Sequence, residues 1–400
     1  MATPSITMIP SGYKAQKVYS VLPTNGDGDF TFDRNNIGTR VNKNGLIEQV
    51  ETDIPRLDYS DGSCPSLLLE PASTNLAEYS EDFSQGWNKN NSTVTTNQTT
   101  SPSGDLTADK FISDDTNQPR VERAFTVPAT NTTYTFSVFV KKINTRYIGL
   151  ARFSGGQGAI FDFDTKSVVS SSAENASIKE FSNGWFRISI TQTVLSTETF
   201  NYWKINGTNG SSIGTGVVGD ETFIWGAQLE EQPYATSYIP TTSGTASRGA
   251  DSAIKDGLSS YISSTSGVLY AEFAALSNED NTFRVFSLSD GGSVNRIFIG
   301  FDSSNDVYAS IGGEFIQDFT PTDATDFIKA AIKYEDNNSK LFVNGNQIST
   351  TNTTATVPSG LNRLGFDSGL GGSPFHVKTK DLRVYNTALT DAELITLTTI

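Results

Sequence analysis

The sequence predicts an all-β protein, with a β-rich N-terminal segment followed by two sandwiches of packed antiparallel sheets. Three observations point there. Apolar residues recur at every second position in many short runs, the spacing of half-buried strands. The 400 residues include 34 Gly, 25 Phe and 14 Tyr among abundant Thr, Ser and Asn, the usage of short strands joined by tight turns. Two Asn-Gly pairs, Asn44-Gly45 and Asn344-Gly345, sit between apolar runs where a hairpin turn needs positive φ.

Taken in order, residues 1–72 alternate over Val18 to Leu22 and Phe30 to Phe32, then form a hairpin over Arg40 to Glu48. Residues 73–242 carry strands at Lys110 to Ile112, Val121 to Val127, Tyr134 to Lys141, Tyr147 to Arg152, Ala159 to Phe163, Ser177 to Phe181, Trp185 to Val194, Phe200 to Ile205 and Thr222 to Leu229. That number fits two packed sheets. In the strand from Trp185, residues Phe186, Ile188 and Ile190 share the face expected to be core. In the closing strand Phe223, Trp225, Ala227 and Leu229 are expected on one face. Residues 243–266, rich in Thr, Ser and Gly, read as a linker. Residues 267–400 resume with Val268 to Phe273, Phe283 to Leu288, Ile297 to Phe301, Val307 to Ile311, Phe327 to Tyr334 and Lys340 to Val343, and end in a short helix. Thr390 and Glu393 are spaced as a capping box for it.

The formal charge of −15, with no clustered basic face of the kind phosphate binding needs, argues against a nucleic-acid partner. Cys64 stands alone, so no intrachain disulfide forms. No apolar run reaches membrane-spanning length, and the N-terminus has no basic-then-apolar export pattern, so synthesis in a cytoplasm is expected.

Several phrases carry a resemblance. Trp225 to Glu231 (WGAQLEE), Ala235 to Thr241 (ATSYIPT) and the Arg248-x-x-Asp251 pair resemble the closing segment of a carbohydrate-binding-type jelly roll found in tailed-phage structural proteins. Asn75-Leu76, Phe83 and Gly86-Trp87 are similar to that module's opening. Asp29 to Tyr59 and Ser63 to Leu76 resemble its lead-in, which either ties the module to the rest of a particle or packs as a β extension on its own jelly roll. Val343-Asn344-Gly345, Arg383 to Asn386 (RVYN) and the helix after Thr390 resemble the concanavalin A-like, laminin-G-type sandwich. The resemblance implies a virion structural protein, a capsid-attached head fibre or decoration, that displays glycan-binding domains. It further implies homo-oligomers and contacts with other virion proteins through the N-terminal segment. A tail fibre or receptor-binding protein is the alternative, with a polysaccharide depolymerase or a bacterial adhesin behind it.

An enzyme has little to stand on. His376 is the sole histidine, and no nucleophile elbow, phosphate loop or His/Cys metal spacing occurs. Asp162 and Asp164 suit a carboxylate pair or a strand-turn, and Glu279 and Asp280 a hairpin tip. No cofactor is implied; the metal reading is a structural calcium on Asp302, Asn305 and Asp306, against an Asx-rich turn. For carbohydrate, which needs an aromatic face with amide or charged groups beside it, the candidates are Trp203, Tyr147, Arg152 and Asn201. The competing account places Trp203 with Trp87, Trp185 and Trp225 in the core.

Overall fold

The structure, a computed structural model, describes residues 2–152, 157–196, 202–278, 280–348 and 350–400. Among the described residues it is all-β apart from a short 3-10 turn and the helix Asp391–Thr398. The chain forms two compact units: Met1–Ile37, Val50–Pro71 and Gly249–Ile400 make one, and Gly38–Gln49 with Ala72–Arg248 the other.

The first unit is a sandwich. One sheet runs Asn346–Gln347, Lys340–Val343, Ile328–Glu335, Ser266–Ala275, Val377–Tyr385, Ser66–Leu68, Arg56–Asp58, with Ile6–Met8 also paired to Val377–Tyr385. The other runs Tyr13–Lys14, Lys17–Val18, Phe30–Asp33, Ser252–Lys255, Arg363–Gly365, Arg284–Ser289, Arg296–Phe301, Val307–Ile311, Glu314–Phe319. Between them lies one core in which Ile6, Phe30, Phe32 and Leu67 pack with Leu269, Phe273, Phe286, Ile299 and Leu382. The helix covers the outer side of the first sheet, burying Leu394 and Leu397 against Val268, Tyr270, Phe342 and Tyr385. Its start is the expected capping box: Glu393 N–H donates to Thr390 Oγ1 at 3.3 Å, and Thr390 N–H to Glu393 Oε2 at 2.9 Å.

The second unit is the jelly-roll sandwich. Its sheets run Asn88–Asn90, Arg120–Ala124, Tyr202–Gly207, Tyr147–Arg152, Gly158–Asp162, Ser167–Ser171 and Ser92–Thr99, Ala108–Ser113, Glu221–Glu230, Thr132–Lys142, Trp185–Val194, Asn175–Glu180. Phe186, Ile188 and Ile190 lie in the inter-sheet core as expected. The closing strand departs from simple alternation. Gly226, at φ +64°, sits at a register shift against Thr132–Lys142, so Ala227 and Leu229 face the core while Trp225 and Phe223 turn outward. There Trp225 joins Phe139, Trp185 and Tyr238 in a second buried cluster, covered in part by Ile47 of the 38–49 hairpin.

These units differ from the boundaries expected. Residues 1–72 are not a separate lead-in; they are divided between both units. Residues 243–266 are not a free tether, because Ala246–Arg248 pairs with Ser73–Asn75 and Ser252–Lys255 pairs with Phe30–Asp33. Arg248 is buried in the jelly-roll unit, donating from Nη1 to Thr236 Oγ1 at 3.1 Å and Ser237 Oγ at 3.0 Å. Asp251 is buried in the other unit between two arginines. Its Oδ1 lies 3.2 Å from Arg34 Nη1, its Oδ2 meets Arg56 Nη2, and Arg56 Nη1 reaches Glu70 Oε2 at 2.5 Å. Burial alone would lower the Arg56 pKa, but Asp251 and Glu70 outweigh it and hold the guanidinium above its ordinary value.

One buried acid in the jelly roll gives a pH prediction. Burial pushes the Asp109 carboxyl up to about 6, against the backbone N–H groups of Phe83 and Asn97 that donate to it at 2.9 and 3.0 Å. Unfolded, the group returns to 3.8. Between these values the folded state keeps a proton that the unfolded chain has released, so the contribution of Asp109 to stability falls as pH rises through that window. Carboxyl-carbon NMR of Asp-labelled protein should show a midpoint near 6 that Asp109→Asn removes; a midpoint at the ordinary carboxylate value contradicts this environment.

Candidate carbohydrate-binding face

In the nine-stranded sheet of the first unit, alternation sends Phe286, Leu288, Ile297, Ile299, Val307 and Ala309 into the core. The positions between them form the outer face: Val285, Ser287 and Ser289, then Arg296, Phe298 and Gly300, then Tyr308 and Ser310. Cross-strand register places Phe298 opposite Ser310 and Ser310 opposite Phe315. Gly300 stands opposite Tyr308. Only glycine fits there, since an added Cβ would lie 1.9 Å from Arg284 O. The bare position leaves no side chain directly across from Tyr308 on that strand.

The result is a contiguous row of rings. Phe298 and Tyr308 have centroids 5.3 Å apart, Tyr308 and Phe315 5.7 Å apart at an interplanar angle of 19°, and Phe283 closes on Tyr308 at 6.1 Å. Phe283 and Phe315 are 47% and 48% exposed, which is uncommon for phenylalanine outside a contact surface. The Arg296 guanidinium lies over Phe298 at 5.1 Å, and its Nη1 donates to Ser368 O at 2.6 Å. Phe298 itself is buried, so the accessible apolar faces are those of Phe283, Tyr308 and Phe315, with the planar donor of Arg296 beside them.

The residues expected to bind sugar do not assemble. Trp203 is fully buried, 5.8 Å from Phe136 between the jelly-roll sheets, and Arg152, also buried, stacks over it at 5.7 Å. A one-residue step decides this: Trp203 and Ile205 point inward, so Tyr202, Lys204 and Asn206 take the outer face. Tyr147 is on that outer face, half-buried beneath Arg146, and so is parted from Trp203 and Arg152 by the sheet itself. Asn201 lies outside the described residues. Across the same outer face Glu122 is a hub, accepting from Arg120 Nε at 2.8 Å and Asn90 Nδ2 at 3.0 Å with Lys204 Nζ at 3.6 Å.

The calcium candidates are corrected too. Asp302 Oδ1 accepts the N–H groups of Ser304 and Asp306 at 2.7 and 3.0 Å, the pattern of an Asx turn. The Asn305 Oδ1 is taken by Arg284, a cation already in place, and its Nδ2 donates to Asn278 O at 2.7 Å. Among the described residues no group of three His, Cys, Asp or Glu is placed to hold a metal ion. Asp162 caps its turn: Arg146 binds it through Nε and Nη2, which, with the Asp164 and Thr165 N–H groups, holds its carboxyl well below the usual range. Glu279 lies outside the described residues.

Comparison with known proteins places the ring row in context. Residues 262–395 match the concanavalin A-like lectin/glucanases superfamily. The concanavalin A-like domain therefore supplies the strands that carry Phe298, Tyr308 and Phe315. Solved structures resemble parts of the chain: the Ruminococcus gnavus IT-sialidase CBM40 bound to alpha2,3 sialyllactose is 19% identical, with a TM-score of 0.29, covering 34% of this chain and 83% of that one. Domain 4 of the GH43 extracellular arabinanase AbnA from Geobacillus stearothermophilus, in complex with arabinotriose, is 18% identical, with a TM-score of 0.29, covering 42% and 84%. Trypanosoma rangeli sialidase in complex with the inhibitor DANA is 11% identical, with a TM-score of 0.31, covering 72% and 60%. No curated protein matches the chain.

Proposed function

We propose that the chain is a noncatalytic carbohydrate-binding protein of a tailed-bacteriophage particle, holding polysaccharide on the outer face of its concanavalin A-like domain. The rings of Tyr308 and Phe315 carry the proposal, because stacked and partly exposed aromatic faces match the C–H faces of pyranose rings. A glycosidase needs two carboxyl groups flanking the scissile bond. The outward positions of the strands that carry Phe298 and Tyr308, namely Arg296, Phe298, Gly300, Tyr308 and Ser310, carry none, and Asp318 opposite Tyr308 supplies a single one, which favours binding over cleavage.

The particle context rests on the sequence resemblance at Trp225 to Asp251. Capsid display as a head fibre or decoration is the first reading and a tail-borne receptor-binding protein the second; contacts with other virion proteins and with further copies of the chain belong to the same proposal, as does assembly onto the virion after synthesis in the bacterial cytoplasm. Many copies with modest sites would adhere through avidity.

Phe315→Ala and Tyr308→Ala are each expected to weaken binding to a polysaccharide retained by the parent protein about tenfold, the effect of losing a central aromatic contact. Phe315→Ala should leave the melting temperature nearly unchanged, since that ring is half exposed. Affinity electrophoresis across a polysaccharide panel reads the first and calorimetry the second. Binding that survives both substitutions removes the site, and release of reducing sugar removes the noncatalytic reading. Immunogold labelling of intact particles separates capsid from tail.

A further inference from the structure

Resting on that binding reading, we infer that the polysaccharide held on the ring row is acidic, with its carboxylate or sulfate group seated on Arg296. The chain has 44 acidic and 29 basic side chains, so a guanidinium in it readily finds a carboxylate. The other arginines of the same unit do: Arg34 and Arg56 share Asp251, Arg284 faces Asp280, Arg363 faces Asp367 and Arg383 faces Asp381. Arg296 is different. Its Nη1 donates to Ser368 O, and among the described residues no carboxylate lies within ion-pair distance of it.

The guanidinium is also held in place, half-buried and laid over the Phe298 ring. A planar donor fixed this way retains N–H groups for a bidentate anion, and little freedom is lost when one binds. A neutral polymer lying over Tyr308 and Arg296 would strip water from that charge and give nothing in return, whereas an acidic one supplies a carboxylate or sulfate partner. The acidic member of the same outer face, Asp318, is opposite Tyr308 on the edge strand. The face therefore runs from a cation beside Phe298 to an anion beyond Tyr308, which places the acidic group of the ligand at the Phe298 end.

The test uses the full chain with two matched pairs of probes: polygalacturonate with its carboxyl-reduced form, and dextran sulfate with dextran. In at least one pair the acidic member should bind about tenfold or more tightly, the worth of one charge-assisted contact. Arg296→Gln should erase that difference, Arg296→Lys should retain part of it, and Phe315→Ala should weaken both members of the pair. Equal affinities within both pairs overturn the inference while leaving the binding reading intact, as does an acid preference that survives Arg296→Gln. Failure of the parent chain to bind any of the four overturns the inference together with the binding reading for these polymers.

Discussion

Asp251→Asn is expected to destabilise the concanavalin A-like unit by about 3–5 kcal/mol, the cost of removing one partner from a buried ion pair. The carboxylate touches both Arg34 and Arg56 and also accepts the Glu70 N–H at 2.9 Å, with both guanidinium groups fully buried. Without its charge, Arg56 keeps Glu70 as a carboxylate partner, while Arg34 is left facing the neutral carbonyl oxygens of Val50, Glu51 and Ile54, so the penalty should fall chiefly on Arg34. Differential scanning calorimetry should show the transition of this unit roughly 10 °C lower, with the jelly-roll transition unmoved. Replacing Arg56 and Asp251 together with apolar residues of similar size should not recover the loss, because it takes Asp251 from the buried Arg34 and Arg56 from the buried Glu70. A single variant that melts within about 2 °C of the parent would mean that the cluster is hydrated and not sealed.

Trp203→Ala is expected to remove about 3–5 kcal/mol from the jelly roll, as for any large ring cut from a packed interior. Trp203 touches Phe136 and is covered by Arg152, so the substitution leaves a cavity lined partly by a charged side chain. Polysaccharide affinity should be unchanged wherever the variant remains folded, since the ring row belongs to the other unit. A variant of parental stability and lost affinity would reinstate Trp203 as a sugar platform. Urea titration paired with affinity electrophoresis distinguishes the two results.

The sequence was legible where the signal is local. Alternation in Trp185 to Val194, the Asn344-Gly345 turn and the Thr390 capping box each depend on neighbours a few residues apart, and each appears where expected. The closing strand misled because one glycine in a left-handed conformation exchanges the faces after Trp225. At Trp203 the information was present: the phrase YWKING alternates Trp203 and Ile205 against Tyr202, Lys204 and Asn206, and the apolar member of each pair belongs inside. The ring row was harder to see. Ile297 to Phe301 is apolar on both faces, so composition alone does not say that Phe298 turns away from the core. The unit boundaries were invisible for a different reason. Arg248 and Asp251 are polar, and hydrophobic patterning assigns polar residues to the surface, yet both are buried, Arg248 against Thr236 and Ser237 and Asp251 by partners from distant segments.

Ile6–Met8 completes its sheet against Val377–Tyr385, and Phe30–Asp33 pairs with Ser252–Lys255. During translation at roughly 5–20 residues per second, those early strands must wait tens of seconds for partners still in the ribosome. The intervening jelly roll, complete once Arg248 has emerged, can close during that delay. Nascent chains should therefore show a protease-resistant middle flanked by cleavable ends until the last strand is released, and premature termination should spare the middle while leaving the opening strands without a sheet to join.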